Sequence, residues 1–243
     1  LRADCAVPVW HDDQQGTAAV VLAALINALK VVGKDLGQVR IAMVGAGAAN
    51  VATYRLLTFA GVAKEALASG LHVMLFSDNV PLEAEIALKQ QAAARELLCM
   101  GPDCGTAVIG GAALGFANRV RRGSVGIVGA AGTGIQQVAS LVHLGGGGIA
   151  HAIGTGGRDL SRAVGGVTAR QGLAVLAADP ATQVIVLISK PPAPEVAAEL
   201  LAAVVSVRKP VVVNFIGAAV PQAPNLHPAA TLEEAARVAV TLA

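Results

Sequence analysis

The sequence predicts an α/β protein of two three-layer domains, Rossmann-like and flavodoxin-like, with mostly parallel sheets. Three observations carry this. Aliphatic runs bounded by glycine alternate with longer segments of helical period, the pattern of parallel strands joined by right-handed crossovers. Hydrophobic residues make up 54% of the chain and aromatic ones only 2%, so small aliphatic side chains do the packing, as they do where helices lie close on a buried sheet. A strand, glycine turn and helix start occur together twice, at "IAMVGAGAAN" (41–50) and at "GSVGIVGAAGTGI" (123–135), and each should open a sheet of its own.

Taken in order, "GTAAVVLAALINALKV" (16–31) predicts a helix that is apolar almost all round and therefore buried. "VRIAMVGAG" is a strand, followed by two helices stopped by Gly61 and Gly70. "LHVMLFSD" is a strand, "PLEAEIALKQQAAAREL" an amphipathic helix opened by Pro81, and "LLCMGPDCG" a strand ending in a tight turn. The glycine-rich "TAVIGGAALGFANRVRRG" reads as a strand, a turn and a short return. It is the best candidate for a domain boundary, giving domains of 1–122 and 123–243. The second domain then alternates strands at 123–129, "GIAHAIGTGG", "TQVIVLISK" and "KPVVVNFIG" with helices at "QQVASLVHLG", "SRAVGGVTARQGLAVLAADP" and "PEVAAELLAAVVSV". "TLEEAARVAVTLA" closes it as a helix, with Thr231 as N-cap and Glu234 completing a capping box.

Charged residues are 14% of the chain and the formal net charge is +2, with no basic run interleaved with aromatics, so nucleic acid is not expected as a partner. The uncharged span from Ser124 to Gly157 is too broken by glycine, Gln136, Gln137, His143 and His151 to make a spanning helix, and no membrane association is expected. Cys5, Cys99 and Cys104 make no disulfide framework, and no basic region with an apolar core opens the chain. A cytoplasmic location without a signal peptide is expected.

Gly45 and Gly47 suit a G-x-G turn whose backbone N–H groups approach a pyrophosphate, whereas Asn50 stands where a small residue would favour close helix–strand packing. Residues 7–62, and "HDDQQGTA" (11–18) above all, resemble the start of the nicotinamide domain of bacterial malic enzymes. That resemblance implies NAD(P) at the Gly45–Asn50 turn and a divalent metal on Asp13, beside Asp12. The family's other metal-binding acids and its catalytic tyrosine and lysine lie upstream of anything in this sequence. Asp12 and Asp13 read equally well as the cap and first turn of a helix. An NAD site also wants an acid about twenty residues past the turn. The next strand end, at Asp78, comes considerably later.

From about Ala66 onward, "FSDNVPLEAEIALKQQAA", "MGPDCGTAVIGG", "LGFANRVRRGSVGIVGAAGTGIQQVASLVH" and "HAIGTGGRDLS" resemble FdrA proteins, relatives of the succinyl-CoA synthetase α subunit and of acyl-CoA synthetases. By this resemblance Ser77, Asp78, Pro81, Pro102, Asp103 and Cys104 line the CoA side of the first domain. Gly129, Gly132, Thr133 and Gly134 face a phosphoryl or carboxylate group, and Gly156, Gly157 and Arg158 border the same crevice. An uncapped helix N-terminus favours an anion by about 0.3–2 kcal/mol, although the same glycines also serve tight strand–helix turns. The phosphate-carrying histidine loop of the ligases is not in "KPVVVNFIGAAVPQAPNLHPAAT", where His227 reads as a surface-loop residue. Cys104 lacks a basic partner and reads as a small packing residue, and no catalytic residue is assigned.

The two resemblances meet at 62–66 without overlap, which describes a composite chain. Its leading functional reading is an acyl-CoA synthetase-like (FdrA-like) subunit binding CoA or a carboxylate or phosphate ligand, without an evident phosphohistidine. A partner subunit or a homo-oligomer is expected. Some FdrA-like proteins are linked to carbamoyl transfer in oxamate and allantoin breakdown. The alternatives are an NAD(P)-dependent malic enzyme fragment and an inactive fusion scaffold.

Overall fold

A seven-stranded, mostly parallel sheet between two helical layers is built from most of the described residues. The computed structural model describes residues 17–34, 72–76, 80–217, 220–221 and 223–243. Its elements run α1 (Thr17–Val32), β1 (Val73–Met74), α2 (Leu82–Ala93), β2 (Cys99–Met100), β3 (Thr106–Ile109), β4 (Ala112–Gly115), β5 (Arg122–Gly129), α3 (Gly132–Leu144), β6 (Ile149–Gly154), α4 (Val167–Ala178), β7 (Val184–Ser189), α5 (Pro194–Val205), β8 (Val211–Phe215), β9 (Leu226–Pro228) and α6 (Leu232–Leu242).

Strand order in the large sheet is β4-β3-β6-β5-β7-β8-β9, and among the described residues β1 pairs with β2 in parallel outside that sheet. The run β6-β5-β7-β8-β9 is parallel throughout. Taken in chain order, this is the 2-1-3-4-5 arrangement of flavodoxin-like sheets, in which the chain turns one way from β5 and the other way from β7.

Alternation along the strands explains the layers. In β7, Val184, Val186 and Ile188 face α3 and α6, while Ile185 and Leu187 face α4 and α5, and all five are buried. A strand buried on both faces has no polar alternation to show, which is why it reads in the sequence as a continuous aliphatic run. Glycine supplies the room that larger residues would take: a Cβ at Gly126 would come within 2.9 Å of Leu176 on α4.

The β3–β4 hairpin, turned at Gly110 and Gly111, joins the edge of the large sheet through antiparallel pairing of Val108 with Ala152 of β6. Gly111 N–H donates to the Ala150 carbonyl at 3.0 Å, and Gly110 N–H to His151 Nδ1 at 3.1 Å. The segment expected to mark a domain boundary therefore supplies two strands to the sheet that follows it.

Three details differ from expectation. Helix α4 starts only at Val167, because Gly165 and Gly166 adopt left-handed conformations (φ +73° and +69°) that end the preceding turns. His227 lies in the edge strand β9, opposite Val212, and not in a loop; three residues ending at a proline give too short a pattern to announce a strand. Among the described side chains of α1, Leu29 is buried while Val20, Val31 and Val32 are exposed, so the expected buried helix is not seen. An all-apolar sequence reports what a helix is able to bury, not that a neighbour is present to cover it.

Candidate functional site

The strands β5, β6, β7 and β8 all point their carboxyl ends to one edge of the sheet. Gly129 of β5 pairs with Gly154 of β6 and with Ile188 of β7, so the turns after β5 and β6 leave the sheet side by side. The connections diverge between β5 and β7, where open α/β sheets keep their ligand crevice.

The turn after β5 delivers the chain into α3, whose N-cap is Ala131 with no side-chain hydrogen bond. The first-turn N–H groups of Gly132, Thr133 and Gly134 thus have no capping side chain. Thr133 is exposed and both glycines are partly so. The starts of α2 and α5, at Pro81 and Ala193, likewise have no side-chain cap, whereas α6 and α4 do. The Thr231 hydroxyl accepts from Glu234 N–H at 3.1 Å and Glu234 accepts from Ala230 N–H at 2.7 Å, completing the cap of α6 expected from the sequence. The Asp159 carboxylate accepts from Thr168 N–H at 3.2 Å and Ala169 N–H at 2.9 Å, nine and ten residues on, closing the start of α4.

The predicted residues on the two sides of the crevice meet. The glycine turn after β6 packs directly on the turn after β2: a Cβ at Gly156 would collide with the Pro102 carbonyl, and one at Gly157 would lie 2.8 Å from Asp103 Oδ2. The close approach available at these two glycines is thus made by protein. A Cβ at Gly154 would lie 2.5 Å from the Cys104 sulfur. Cys104 is buried, its thiol directed at the Thr106 carbonyl at 3.6 Å, and burial pushes its pKa up to about 12. Burial likewise raises the Cys99 thiol to about 11. Both stay protonated at neutral pH, as packing residues do.

Arg158 turns toward the predicted CoA side. Its Nη2 donates to the Val80 carbonyl at 2.7 Å, next to Pro81, and lies 2.9 Å from Glu85 Oε2. Behind it lies an arrangement that sequence reasoning missed. Glu85, Lys89 and Asp159 are fully buried. Lys89 Nζ is 3.3 Å from Glu85 Oε1, 2.6 Å from Asp159 Oδ1 and donates to the Thr155 carbonyl at 2.9 Å. Neither Glu85 oxygen has hydrogen-bond geometry with a donor among the described residues, so charge alone compensates its burial. The Glu85–Lys89 spacing was the only sequence signal, and an i,i+4 pair of this kind ordinarily marks a solvated face.

Gly45, Gly47, Asn50, Ser77, Asp78 and Asp13, the residues proposed for the nicotinamide turn, part of the CoA side and the metal, lie outside the described residues. Among the described residues no group of three or more His, Cys, Asp or Glu side chains is placed to hold a metal ion. None of the described helices is long and apolar enough to cross a membrane.

Residues 120–217 match the family model of the CoA binding domain, and residues 14–71 match that of the malic enzyme NAD binding domain. The chain joins segments of two families. The Escherichia coli protein YahF is 56% identical over 154 residues, covering 63% of this chain. The NAD-dependent malic enzyme of Geobacillus stearothermophilus is 48% identical over 62 residues, covering 26%. The chain spans only 30% of the length of the first and 13% of the second. Among solved structures, the acetyl-coenzyme A synthetase 1 of Ca. Korarchaeum cryptofilum, in complex with phosphate and ADP, matches with a TM-score of 0.52 at 18% identity, over 74% of this chain and 38% of that one. The ATP citrate lyase of Methanothrix soehngenii, in complex with citrate and coenzyme A, matches with a TM-score of 0.50 at 18% identity, over 69% of this chain and 30% of that one. At that identity the likeness establishes the α/β fold.

Proposed function

We propose that the chain is a CoA-binding, acyl-CoA synthetase-like subunit of the FdrA type that holds an acyl-CoA, carboxylate or phosphate group at the carboxyl edge of its large sheet. The observation that carries this reading is the uncapped, accessible start of α3 directly after the central strand β5, within the segment that matches the CoA binding domain. Three first-turn N–H groups and the Thr133 hydroxyl form a donor set suited to a phosphate or carboxylate oxygen. Arg158 adds a guanidinium that is 43% exposed. Pro81, Pro102 and Asp103 border the same edge, and a partner subunit in the cytoplasm would complete the site.

The reading assigns no phosphate-carrying histidine. His227 sits in β9, and the Nδ1 atoms of His72, His143 and His151 accept from Leu98, Arg121 and Gly110 N–H. A malic-enzyme role for the first segment, resting on the match of residues 14–71 and on Asp13 and the Gly45 turn, is the second reading.

Isothermal titration of the chain with CoA, acetyl-CoA and NAD tests the reading. Saturable heat with CoA or acetyl-CoA and none with NAD is the expected result. Binding of NAD alone would overturn it in favour of the nicotinamide alternative, and binding of none would leave a scaffold.

A further inference from the structure

We propose that His151 is a pH-operated latch on the β3–β4 hairpin: the neutral imidazole holds the hairpin tip to β6, and taking up a proton releases it. The latch lies at the far end of β3 from Thr106 and the carboxyl edge, and the inference stands apart from any ligand proposed there.

The tip is lightly held. Gly110 and Gly111 (φ +59° and +83°) make the turn and have no side chains to pack. Among the described residues Val108 with Ala152 is the one registered pair between β3 and β6. At the tip itself two hydrogen bonds reach β6, from Gly111 N–H to the Ala150 carbonyl at 3.0 Å and from Gly110 N–H to His151 Nδ1 at 3.1 Å. The second of these depends on protonation. A Cβ at Gly110 would meet nothing within 4 Å, so the tip has open space to move into. Gly110 is exposed, and its freed N–H passes to water.

An imidazole nitrogen accepts a hydrogen bond only when it carries no proton, so the ring proton of neutral His151 is on Nε2. Nε2 lies 3.5 Å from Asp179 Oδ2, and the His151 side chain is 22% exposed. A second proton goes to Nδ1, where it faces the Gly110 N–H as donor against donor. The bond is lost and the contact turns repulsive. In the same step the ring gains a full charge opposite Asp179, which attracts the ring but not the uncharged tip. The ring therefore stays and the tip leaves. The charged groups around His151 are Asp179 at the end of α4, Lys209 ahead of β8, whose Nζ donates to the Asp179 carbonyl, and Arg122 of β5, whose side chain lies against Gly111. The carboxylate favours the imidazolium and the two cations disfavour it. Histidine is the side chain whose charge ordinarily changes between about pH 5 and 8.

Amide exchange followed by NMR tests the latch, each rate being divided by the intrinsic rate at the same pH. Ring nitrogen shifts of His151, read in the same samples, follow its protons. From about pH 7.5 to about 5, protection of the Gly110 amide should fall about tenfold, the order expected for one lost hydrogen bond. Its midpoint should coincide with the titration of His151, while Ile127 and Val186 in the central strands keep their protection. H151N puts an amide oxygen near the place of Nδ1 and cannot titrate, so its Gly110 protection should be flat with pH. D179N keeps the latch but should release it at lower pH, because the imidazolium loses its carboxylate. Constant Gly110 protection in wild type overturns the inference, as does the same fall in H151N or a neutral ring protonated on Nδ1. A fall shared equally by Ile127 and Val186 would be loosening of the whole sheet and would overturn it too.

Discussion

Lys89 has no exposed surface, and among the described residues its ammonium alone pairs with both Glu85 and Asp159. Removing one partner of a buried network leaves uncompensated charge, which costs about 3–5 kcal/mol. Lys89→Met should therefore lower the unfolding free energy by that order in urea titration, although Met fills similar space. A loss under 1 kcal/mol would mean that water reaches the cluster. The thiols predict the opposite of reactivity: Cys99 and Cys104, raised to about 11 and about 12 by burial, should resist iodoacetamide at neutral pH until denaturant is added. Asp179 sets an acid-side dependence. The Thr182 hydroxyl at 2.6 Å holds its carboxyl below the usual carboxylate range, helped by Ala181 N–H, His151 and Lys209. A folded value below the unfolded one contributes stability above the unfolded value of about 3.9 and loses it as pH falls through the lower folded value. Asp179→Asn should remove that part of the pH dependence, visible as a flatter stability curve between about pH 5 and 2. Of these residues only Cys104, read as a small packing residue, was legible in advance. Lys89 meets Asp159 across 70 positions of sequence, and composition around either one describes an ordinary helix face or turn.

The elements themselves were largely written in the sequence, and their ends were legible where local chemistry fixes them. Thr231 and Glu234 announced the start of α6 because a capping box is made within four residues. The start of α4 was misplaced because its cap comes from Asp159, on the far side of two glycines in left-handed conformation, and a Cβ on Gly166 would lie 2.9 Å from Val196. The uncapped start of α3 supports a prediction that separates stability from binding. Thr133→Glu places a carboxylate on an exposed first-turn position, where it should stabilise the helix by about 0.3–1 kcal/mol through the backbone dipole. The same charge should repel a phosphate or carboxylate, so CoA affinity should fall while the melting temperature holds or rises. A variant that binds CoA as wild type does would place the anion elsewhere.

At the scale of the whole molecule, the sequence suggested a break near residue 122, after the glycine-rich strand, turn and return of residues 106–123. The sheet does not respect that position. Strand β3, from the earlier side, pairs with β6 from the later side, and Cys104 and Thr106 fill the space over Gly154 so closely that a Cβ there would lie 2.7 Å from the Thr106 carbonyl. Gln136 on α3 binds back to the Thr106 hydroxyl at 3.1 Å and the Phe116 carbonyl at 2.8 Å. Pairing across such distances leaves no local sequence trace, since a hairpin reads the same whichever sheet it joins. The consequence is testable by dissection. A fragment of residues 119–243 exposes the backbone edge of β6 and strips the cover from Gly154. Bare strand edges of that kind invite pairing with other chains. It should melt well below a fragment of residues 98–243, and should self-associate on size exclusion where the longer fragment does not. Equal melting and equal elution would make the hairpin an appendage of the sheet; the expected difference makes it a structural wall of the crevice, continuous with the turns at Pro102 and Gly156 that border the proposed ligand.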